Sequence, residues 1–443
     1  MSDDHDAPVR LLVLGAGNRG GHAYAGWCLD NPGAATVTGL ADLDDERRAS
    51  VGDAHGVAPE HRYGDWQAAL AQPGPWDAVI VTTPDRTHVD PTVRALELGY
   101  DVLLEKPIAP TSSELDRLVA AAKDRPGAIT VSHVMRYTPF FTTLRRLLQE
   151  DRIGDLQGIQ HAENIAYWHF AHSYVRGNWH RTDRSSPMLL AKACHDLDIL
   201  RWLVDSPYVA VSSFGDRRHF RIENAPAGST DRCIDGCAVA ASCPYNAERF
   251  YVEQLAGVET WPVSVITKDP SPEGRMRALR ETDYGRCVYR MDNDVVDHQT
   301  TSLRFANGVT ASLVVSAFTR QNTRIITLMG SHGEINADLE TGRIKIMPFR
   351  DASPDIAGRQ VDSGSTMQVG EGATGYVEEI PEPRGGHSGG DAALMADFVE
   401  RTRRRRAGLP VEAAPSAFEE SLESHWVAFA AERSRQNGTV EYL

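Results

Sequence analysis

A glutamate–lysine–proline triplet follows a short apolar run in the first quarter of the chain. The run Val102–Leu104 ends where Glu105, Lys106 and Pro107 begin. Such a run is typical of a strand buried in a parallel sheet, and the carboxyl ends of these strands form ligand sites in open α/β folds. An amine held there is a candidate proton carrier, so the pattern predicts acid–base chemistry at Lys106. The alternative is a structural ion pair between Lys106 and Glu105.

A glycine-rich turn after an earlier apolar run predicts a dinucleotide site. The run Val9–Leu14 leads directly into the turn, and an alanine-rich helical stretch follows. In this setting the glycines permit a tight turn, close approach of a pyrophosphate and helix–strand packing, while the helix N-terminus favours an anion. The residues predicted to hold the cofactor here are Gly15, Gly17, Asn18, Arg19 and Gly20.

An acidic residue at the end of the second predicted strand indicates which dinucleotide is bound. Asp42 lies 22 positions after Gly20, close to the spacing of a ribose-binding acid. Its carboxylate would accept from the ribose hydroxyls and repel a 2′-phosphate, which favours NAD over NADP. Arg47 and Arg48 weaken that preference. The alternative is an ordinary surface aspartate.

Strand and helix patterns alternate through residues 1–135, which predicts a doubly wound parallel sheet in a first domain. Asp90-Pro91 reads as a helix start, and Thr111 with Glu114 as a capping box. The remaining residues, 136–443, form the second predicted domain, with a cysteine-containing insertion at about 225–290 and a final helix at about 415–436 that packs back on the fold.

Four features occur in an order that resembles the Gfo/Idh/MocA family, which includes glucose–fructose oxidoreductase and inositol dehydrogenase. They are the glycine turn, Thr82-Thr83-Pro84 with His88, Glu105-Lys106-Pro107, and a later helix carrying His195. The resemblance implies an α/β Rossmann domain followed by an α+β domain with an open, mostly antiparallel sheet. It also implies chemistry on a secondary hydroxyl of a sugar or cyclitol, with Lys106 catalytic and Glu105 beside the nicotinamide.

The resemblance also assigns the other cofactor contacts. It implies that the segment after the last Rossmann strand faces the nicotinamide, with Arg136 at the cofactor and Tyr137 at the substrate. The alternative there is a packed tyrosine and a surface arginine. The full set of further cofactor contacts is Thr82, Thr83, Pro84, His88, Glu105, Lys106 and Arg136.

The helical run Met188–Leu203 carries the second candidate catalytic residue, His195. Lys192 lies three positions earlier, on the same face. The family has an aspartate four positions before its histidine, but here that position is Ala191. Lys192 would then replace the aspartate, or Lys106 would act with His195 alone.

The segment 166–181 combines aromatic side chains, which stack on sugar C–H surfaces, with polar groups that bind hydroxyls. As a group these residues are expected to line the substrate pocket, although each taken singly suits a structural role. The predicted substrate-binding residues are Tyr137, Tyr167, His172, Arg176, Trp179, Lys192 and His195.

Four cysteines in the insertion suggest a metal site. Cys233, Cys237, Cys243 and Cys287 lie in a loop-rich stretch with little core of its own, where a tetrahedral structural zinc would stabilise the fold. The spacing is not that of a standard zinc knuckle, so four free thiols are the alternative.

Antiparallel strands are expected after residue 300, starting with a hairpin at Asn307-Gly308. An open sheet of this kind predicts a homo-oligomer. An irregular excursion is expected at 351–391, and His387 at its glycine-rich end lies within reach of the pocket.

Composition excludes several classes of partner. The chain has 443 residues and a net charge of −15, which argues against nucleic acid and anionic membranes. The polar N-terminus lacks a signal-peptide pattern, and no apolar run approaches the roughly 20 residues that span a bilayer. We therefore expect a cytoplasmic protein that binds a small carbohydrate.

Three functions remain open on these observations. The first is an NAD-dependent dehydrogenase of a sugar or cyclitol. The second is a glycosidase with a retained NAD, which oxidises a ring hydroxyl transiently, eliminates the aglycone, adds water and reduces the ketone back. The third is a non-catalytic dinucleotide sensor, against which the presence of both Lys106 and His195 argues.

Overall fold

The computed structural model describes residues 7–349, 375–380 and 386–443. Most of the predicted excursion at 351–391 therefore lies outside the described residues. Two separate sheets, one of six strands and one of nine, organise the chain.

The first sheet is fully parallel, as predicted. Its strands are ordered β3-β2-β1-β4-β5-β6. Their bounds are β1 Val9–Leu14, β2 Ala35–Ala41, β3 Arg62–Tyr63, β4 Ala78–Val81, β5 Asp101–Leu104 and β6 Ile129–Val131. Every residue of β4, β5 and β6 is buried, because helices cover both faces of the sheet.

Helices connect these strands. A π-helical segment, Asn18–Ala25, leads into α1. The α-helices are α1 Gly26–Asp30, α2 Asp45–Ala54, α3 Trp66–Ala69, α4 Val89–Glu97 and α5 Ser112–Ala122. The predicted cap at Thr111 is confirmed, since its hydroxyl oxygen accepts from the Glu114 N–H. The predicted start at Asp90 is wrong: α4 begins one residue earlier, so Asp90 lies inside its first turn.

The second sheet is mixed but mostly antiparallel, also as predicted. Its order is β14-β13-β12-β11-β7-β10-β9-β8-β15, and only the β7–β10 pairing is parallel among the described strands. The strands are β7 Leu156–Ala166, β8 Tyr208–Asp216, β9 His298–Phe305, β10 Thr310–Thr319, β11 Thr323–Gly330, β12 Gly333–Asp338, β13 Arg343–Pro348, β14 Tyr376–Glu379 and β15 Glu441–Tyr442.

The helices of the second half pack on one face of this sheet and fill the insertion. They are α6 Pro139–Gln149, α7 Tyr167–Phe170, α8 Met188–Ala191, α9 Cys194–Val204, α10 Val263–Ile266, α11 Pro272–Glu281, α12 Gly390–Arg406 and α13 Phe418–Asn437. The run predicted as one helix over 188–203 is two helices, broken at Lys192 and Ala193.

The last helix joins the two halves. The ring Nε2 of His425 in α13 accepts from the backbone N–H of Ile108, 2.8 Å away. At the other end of α13, the hydroxyl of Ser434 accepts from the Ser213 N–H of β8. The loop that follows Lys106 is thereby anchored to the C-terminal helix.

Candidate active site

The glycine turn has the shape that a dinucleotide needs. Gly15 has a φ of +92°, and a Cβ there would lie 2.7 Å from the Thr82 carbonyl oxygen. A Cβ at Gly20 would overlap the Gly15 carbonyl, whereas nothing lies within 4 Å of the position that a Cβ of Gly17 would occupy. Open space at the middle glycine leaves room for a phosphate, so the residues present fit a bound dinucleotide.

Asp42 lies at the end of β2 beside this turn. Its carboxylate accepts from the Ala16 N–H at 2.6 Å and from Arg47 at 2.7 and 3.0 Å. Although burial opposes it, hydrogen bonds from Arg47, Asp44 and Ala16 lower the pKa of Asp42. Asp42 is therefore ionised and partly neutralised by a neighbouring arginine.

The loop after β4 positions the loop after β5. Thr82 donates its hydroxyl to the Gly15 carbonyl oxygen at 2.6 Å. The two ring nitrogens of His88 lie 2.7 Å from the carbonyl oxygens of Pro107 and Thr83. Thr82, Thr83 and His88 thus connect the glycine turn to the Glu105-Lys106-Pro107 loop, which contains a cis Lys106–Pro107 bond.

Glu105 is the centre of a buried ion-pair network. It accepts from Arg19 Nε at 2.6 Å and from the Tyr24 hydroxyl at 2.7 Å. Arg19 also forms a bidentate pair with Asp391, at 2.8 and 2.9 Å. Burial alone would raise the pKa of Glu105, but the charges of Arg19 and Lys106 and hydrogen bonds from Arg19 and Tyr24 lower it to about 2. Because the donors of Arg19 bind these protein groups, its role at the cofactor is to hold Glu105.

The side chain of Lys106 extends from the Rossmann sheet to the other half of the molecule. Its Nζ donates to the backbone carbonyl of Ala191 at 2.9 Å. In the family pattern this position carries an aspartate, so here a backbone oxygen takes the place of a carboxylate. The lysine is thereby held at the break between α8 and α9, next to the helix that carries His195.

His195 is the second group at this point. The residue is only 5% exposed, and its Nδ1 has no hydrogen-bond partner among the described residues. Burial first, then the charge of Lys106 and the neighbouring His133, hold the pKa of His195 well below its usual value. The ring is therefore neutral at pH 7 and can accept a proton.

Lys192 lies in a second buried network beside the first. Its Nζ is 3.2 Å from Glu163, which also pairs with Arg324 at 2.9 Å. Arg324 in turn binds Asp196 at 2.7 Å. Burial lowers the pKa of Lys192 and raises that of Glu163. The charge of Lys192 is therefore already paired with the carboxylate of Glu163 at this site.

The insertion supplies the aromatic wall of the site, which sequence reasoning missed. Trp261 lies 5.1 Å from His169 and 5.5 Å from His172, between ring centroids. His172 also stacks on Tyr284 at 5.0 Å and has Nδ1 2.7 Å from the Tyr251 hydroxyl. Burial, and then the charge of Lys192, lower the pKa of His169 to about 3.

Several predicted site residues have structural partners instead. Arg136 forms two 2.7 Å hydrogen bonds to Asp198 and a third to the Pro415 carbonyl, so it is not free for the cofactor. Arg176 donates to the carbonyls of Arg286 and Tyr245. Each arginine is buried and hydrogen-bonded to backbone or carboxylate groups, so direct contact with a ligand stays a prediction.

The aromatic candidates divide in the same way. The Tyr137 hydroxyl lies 3.1 Å from Asp397 and 3.2 Å from Ser416. Trp179 packs against Tyr174 at 6.0 Å, and Tyr167 against Tyr245 at 6.0 Å. These contacts hold all three residues within the protein, and their predicted contact with the substrate stays a prediction.

The four insertion cysteines line one small cavity of about 10 Å³. Across residues 7–349, 375–380 and 386–443, however, no three or more His, Cys, Asp or Glu side chains form a group that could hold a metal ion. The predicted zinc site is therefore not supported. The described cysteines form no disulfide bonds.

The residues that sequence reasoning missed are mostly buried partners distant in the chain. They include Tyr24, Glu163, Trp261, Arg324 and Asp391. Only Asp391 has a local signal, since it lies four positions after His387 in a glycine-rich stretch. Of the helices that the structure describes, none is long and apolar enough to cross a membrane.

Known proteins resemble this chain in sequence and in fold. The chain is 24% identical over 411 residues to the putative oxidoreductase YteT of Bacillus subtilis, covering 90% of each chain. It is 30% identical over 253 residues to inositol 2-dehydrogenase 2 of Paenarthrobacter aurescens, covering 55% of this chain and 71% of that one. An oxidoreductase from Agrobacterium radiobacter, solved with NAD⁺, L-tartaric acid and magnesium, has the same fold, with a TM-score of 0.65 at 17% identity over 98% of both chains.

Two family models together match nearly the whole chain. Residues 9–133 match the oxidoreductase family with an NAD-binding Rossmann fold, and residues 145–442 match the C-terminal alpha/beta domain of the same family. The chain therefore belongs to the Gfo/Idh/MocA family of NAD-binding oxidoreductases.

Proposed function

We propose that this protein is an NAD-dependent dehydrogenase acting on a secondary hydroxyl of a sugar, sugar derivative or cyclitol. The observation that carries the proposal is the position of Lys106. Its amine leaves the carboxyl end of β5 and reaches Ala191, beside the helix that carries His195. An acid–base pair thus lies at the edge of the sheet where this fold binds its ligands.

In the proposed reaction each group has one task. Bound NAD supplies the hydride acceptor. Lys106 takes the proton from the substrate hydroxyl, and the neutral His195 orients that hydroxyl or relays the proton. Glu105 and Arg19 fix the loop that carries Lys106, and the insertion wall at Trp261 excludes water from one side.

Cyclitols are the first substrates to test, because the relatives include an inositol 2-dehydrogenase. The pocket offers little support for a strongly acidic sugar. Arg136 and Arg176 are occupied elsewhere, and Lys192 is paired with Glu163. We therefore propose a neutral polyol as the substrate.

Redox-neutral glycoside cleavage is the second candidate. The observation that favours it is Ala191, which leaves Lys106 bonded to a backbone carbonyl instead of the carboxylate of the family pattern. A panel of inositols, free sugars and glycosides separates the two functions when both NADH and products are measured. Stoichiometric NADH with a ketone product supports the dehydrogenase, aglycone release without NADH supports the glycosidase, and neither product would contradict both.

We also propose a cytoplasmic homo-oligomer that associates through the open face of the second sheet. Paired residues on five adjacent strands form one row across this face: Phe214, Thr300, Val314, Ala162 and Ile325. The row carries no charge, and Phe214, Val314 and Ile325 are 67%, 39% and 46% exposed. The adjacent row, Ser212, Ser302, Ser312, Gln160 and Thr327, is uncharged as well. A second copy of this face is its natural partner.

A further inference from the structure

Oxidation of an alcohol leaves one proton that has to reach solvent. The hydride goes to the nicotinamide, and the hydroxyl proton passes to a basic side chain of the protein. The proposed acceptors do not open freely to water, since Lys106 is only partly exposed and His195 is 5% exposed. The site therefore needs a further group that contacts one of them and also faces solvent.

Two other histidines flank His195. The ring centroid of His133 is 5.6 Å away and that of His387 is 6.2 Å away. His133 is fully buried, and neither of its ring nitrogens has a hydrogen-bond partner among the described residues. The side chain of His387 is 39% exposed. Only the second ring joins the buried site to water.

His387 has the support that a proton carrier requires. Its Nδ1 lies 3.1 Å from both carboxylate oxygens of Asp391 and 3.3 Å from Nη1 of Arg19, which itself pairs with Asp391. When Nδ1–H donates to this carboxylate, the lone pair of Nε2 is free to accept a proton, and the carboxylate stabilises the imidazolium that forms. Among the described residues we find no hydrogen bond to Nε2. The charged groups around the ring are Arg19 from the glycine turn, Glu105 from the β5 loop and Asp391 from α12.

The backbone conformation that positions His387 is energetically unfavourable. His387 and Ser388 have φ values of 47° and 53°, in the left-handed region that side chains disfavour. Two nearby glycines are closely packed, because a Cβ at Gly386 would overlap the Asp391 carboxylate and one at Gly390 would overlap the Val134 carbonyl. Two consecutive strained residues that present a histidine to a reactive site are typical of a functional loop.

We infer that His387, oriented by Asp391, carries the reaction proton from His195 to solvent. The step is a proton transfer alone: Nε2 of His387 gains the proton that His195 received, and releases it to water at the exposed face. A ring-centroid separation of 6.2 Å is spanned by a bridging water or a small ring rotation. In carbonyl reduction the same path runs inward. The inference rests on the proposed dehydrogenase function.

The test uses the NAD-loaded enzyme and the polyol that the wild type oxidises fastest. In His387→Gln we expect kcat to fall at least about tenfold, with KM values for polyol and NAD nearly unchanged, because only proton departure is slowed. The primary deuterium isotope effect should fall towards one, and free imidazole should restore much of kcat. His332→Gln is the matched control, since His332 is an exposed histidine at the far end of β11.

A second variant distinguishes a specific loss of proton transfer from a loss of activity caused by misfolding. Asp391→Asn keeps the imidazole but removes its support and one partner of Arg19. It should lower kcat less than His387→Gln, raise KM for NAD, and show no rescue by imidazole. Unchanged kcat in His387→Gln would overturn the inference. So would a loss of kcat that imidazole does not relieve and that leaves the isotope effect intact.

A measurement without substrate separates this inference from the proposed function. In ¹³C-histidine NMR of the NAD-loaded protein, the His387 resonance is the one missing in His387→Gln. It should titrate below the usual histidine range, because burial lowers the pKa of His387, whereas the His195 resonance should stay that of a neutral ring. If no polyol is oxidised, the proposed dehydrogenase fails and the inference fails with it, although a titrating His387 would still identify an imidazole that exchanges protons with solvent. A His387 resonance that shows no titration would overturn the inference even in an active dehydrogenase.

Discussion

At the scale of single residues, the account depends on buried charges that hold one another in place. Glu105 is 5% exposed and bonds to Arg19 and Tyr24. A buried carboxylate without such partners would take up a proton, and one whose partner is removed destabilises the fold. The ionised Glu105 is therefore both a structural link and the charge that faces Lys106.

Glu105→Gln should lower the free energy of unfolding by about 3 kcal/mol at pH 7. This magnitude follows from the folded-state pKa of Glu105, which is reduced to about 2. Because the folded-state pKa lies below the unfolded one, this stability is present above about pH 4.5 and is lost as the pH falls towards 2. Urea unfolding at pH 7, 5 and 4 measures the effect, with exposed Glu60→Gln as the control. An equal difference between wild type and Glu105→Gln at all three pH values would contradict this role.

The Arg47–Asp42 ion pair is expected to affect cofactor choice. Arg47 neutralises Asp42, which would otherwise repel a 2′-phosphate. Arg47→Ala should therefore increase the preference for NAD over NADP, by roughly tenfold for about 1.4 kcal/mol of restored repulsion. Binding of NADH and NADPH, followed by protein fluorescence, gives the ratio. A shift of this ratio towards NADPH in Arg47→Ala would contradict the proposed effect of Arg47 on the charge of Asp42.

At the scale of elements, the insertion takes part in the site. Its Trp261 packs against Trp168, His169 and His172, with ring centroids 5.1–5.6 Å apart. Aromatic contacts of this kind add about 0.5–1.5 kcal/mol beyond the area that they bury. The insertion is therefore expected to shape the substrate side of the site, while the Rossmann sheet shapes the cofactor side.

Trp261→Ala should raise KM for the polyol about tenfold while leaving NAD affinity unchanged, because the wall contacts only the substrate side. Steady-state kinetics and NAD titration measure the two effects, and thermal unfolding shows whether the fold survives. An increase in the Kd for NAD with an unchanged polyol KM would place the insertion at the cofactor instead.

The elements also show how far sequence reasoning extends. The parallel strands, the glycine turn and the position of Lys106 at a strand end follow from local patterns, and the structure contains all three. Helix boundaries were less accurate: His88 precedes α4 where Asp90 was expected to, and Lys192 lies in a break rather than on a helix.

The site partners could not be predicted, because they depend on long-range contacts. Arg19 meets Asp391 across 372 positions, and Arg136 meets Asp198 across 62. Both arginines lie at positions where the family pattern suggests ligand contacts, but they form ion pairs with carboxylates elsewhere in the chain. The cysteines show the opposite case: they lie around one cavity, but they do not form a group that could hold a metal ion.

At the scale of the whole molecule, one helix and one surface matter most. Helix α13 anchors the loop after Lys106 through His425, so the catalytic loop depends on residues more than 300 positions away. The open face of the second sheet is uncharged along two adjacent rows, which is unusual for a surface exposed to water.

Val314→Arg should convert the proposed oligomer to monomers, because it places a charge in the middle of the uncharged row. Light scattering after size-exclusion chromatography measures the mass. Val265→Arg is the matched control, since Val265 is 41% exposed in the insertion and Val314 is 39% exposed. Monomeric wild type, or an unchanged mass for Val314→Arg, would contradict association through this face.

The central claim is that the Lys106 amine carries the proton of an NAD-dependent oxidation, and Lys106→Met tests it most directly. With NAD and the best polyol of the panel, we expect turnover to fall by about 10²-fold or more, because the proton has no acceptor. The Kd for NAD should stay close to that of wild type, and exposed Lys123→Met should keep full activity. Undiminished turnover in Lys106→Met with NAD bound would contradict the account.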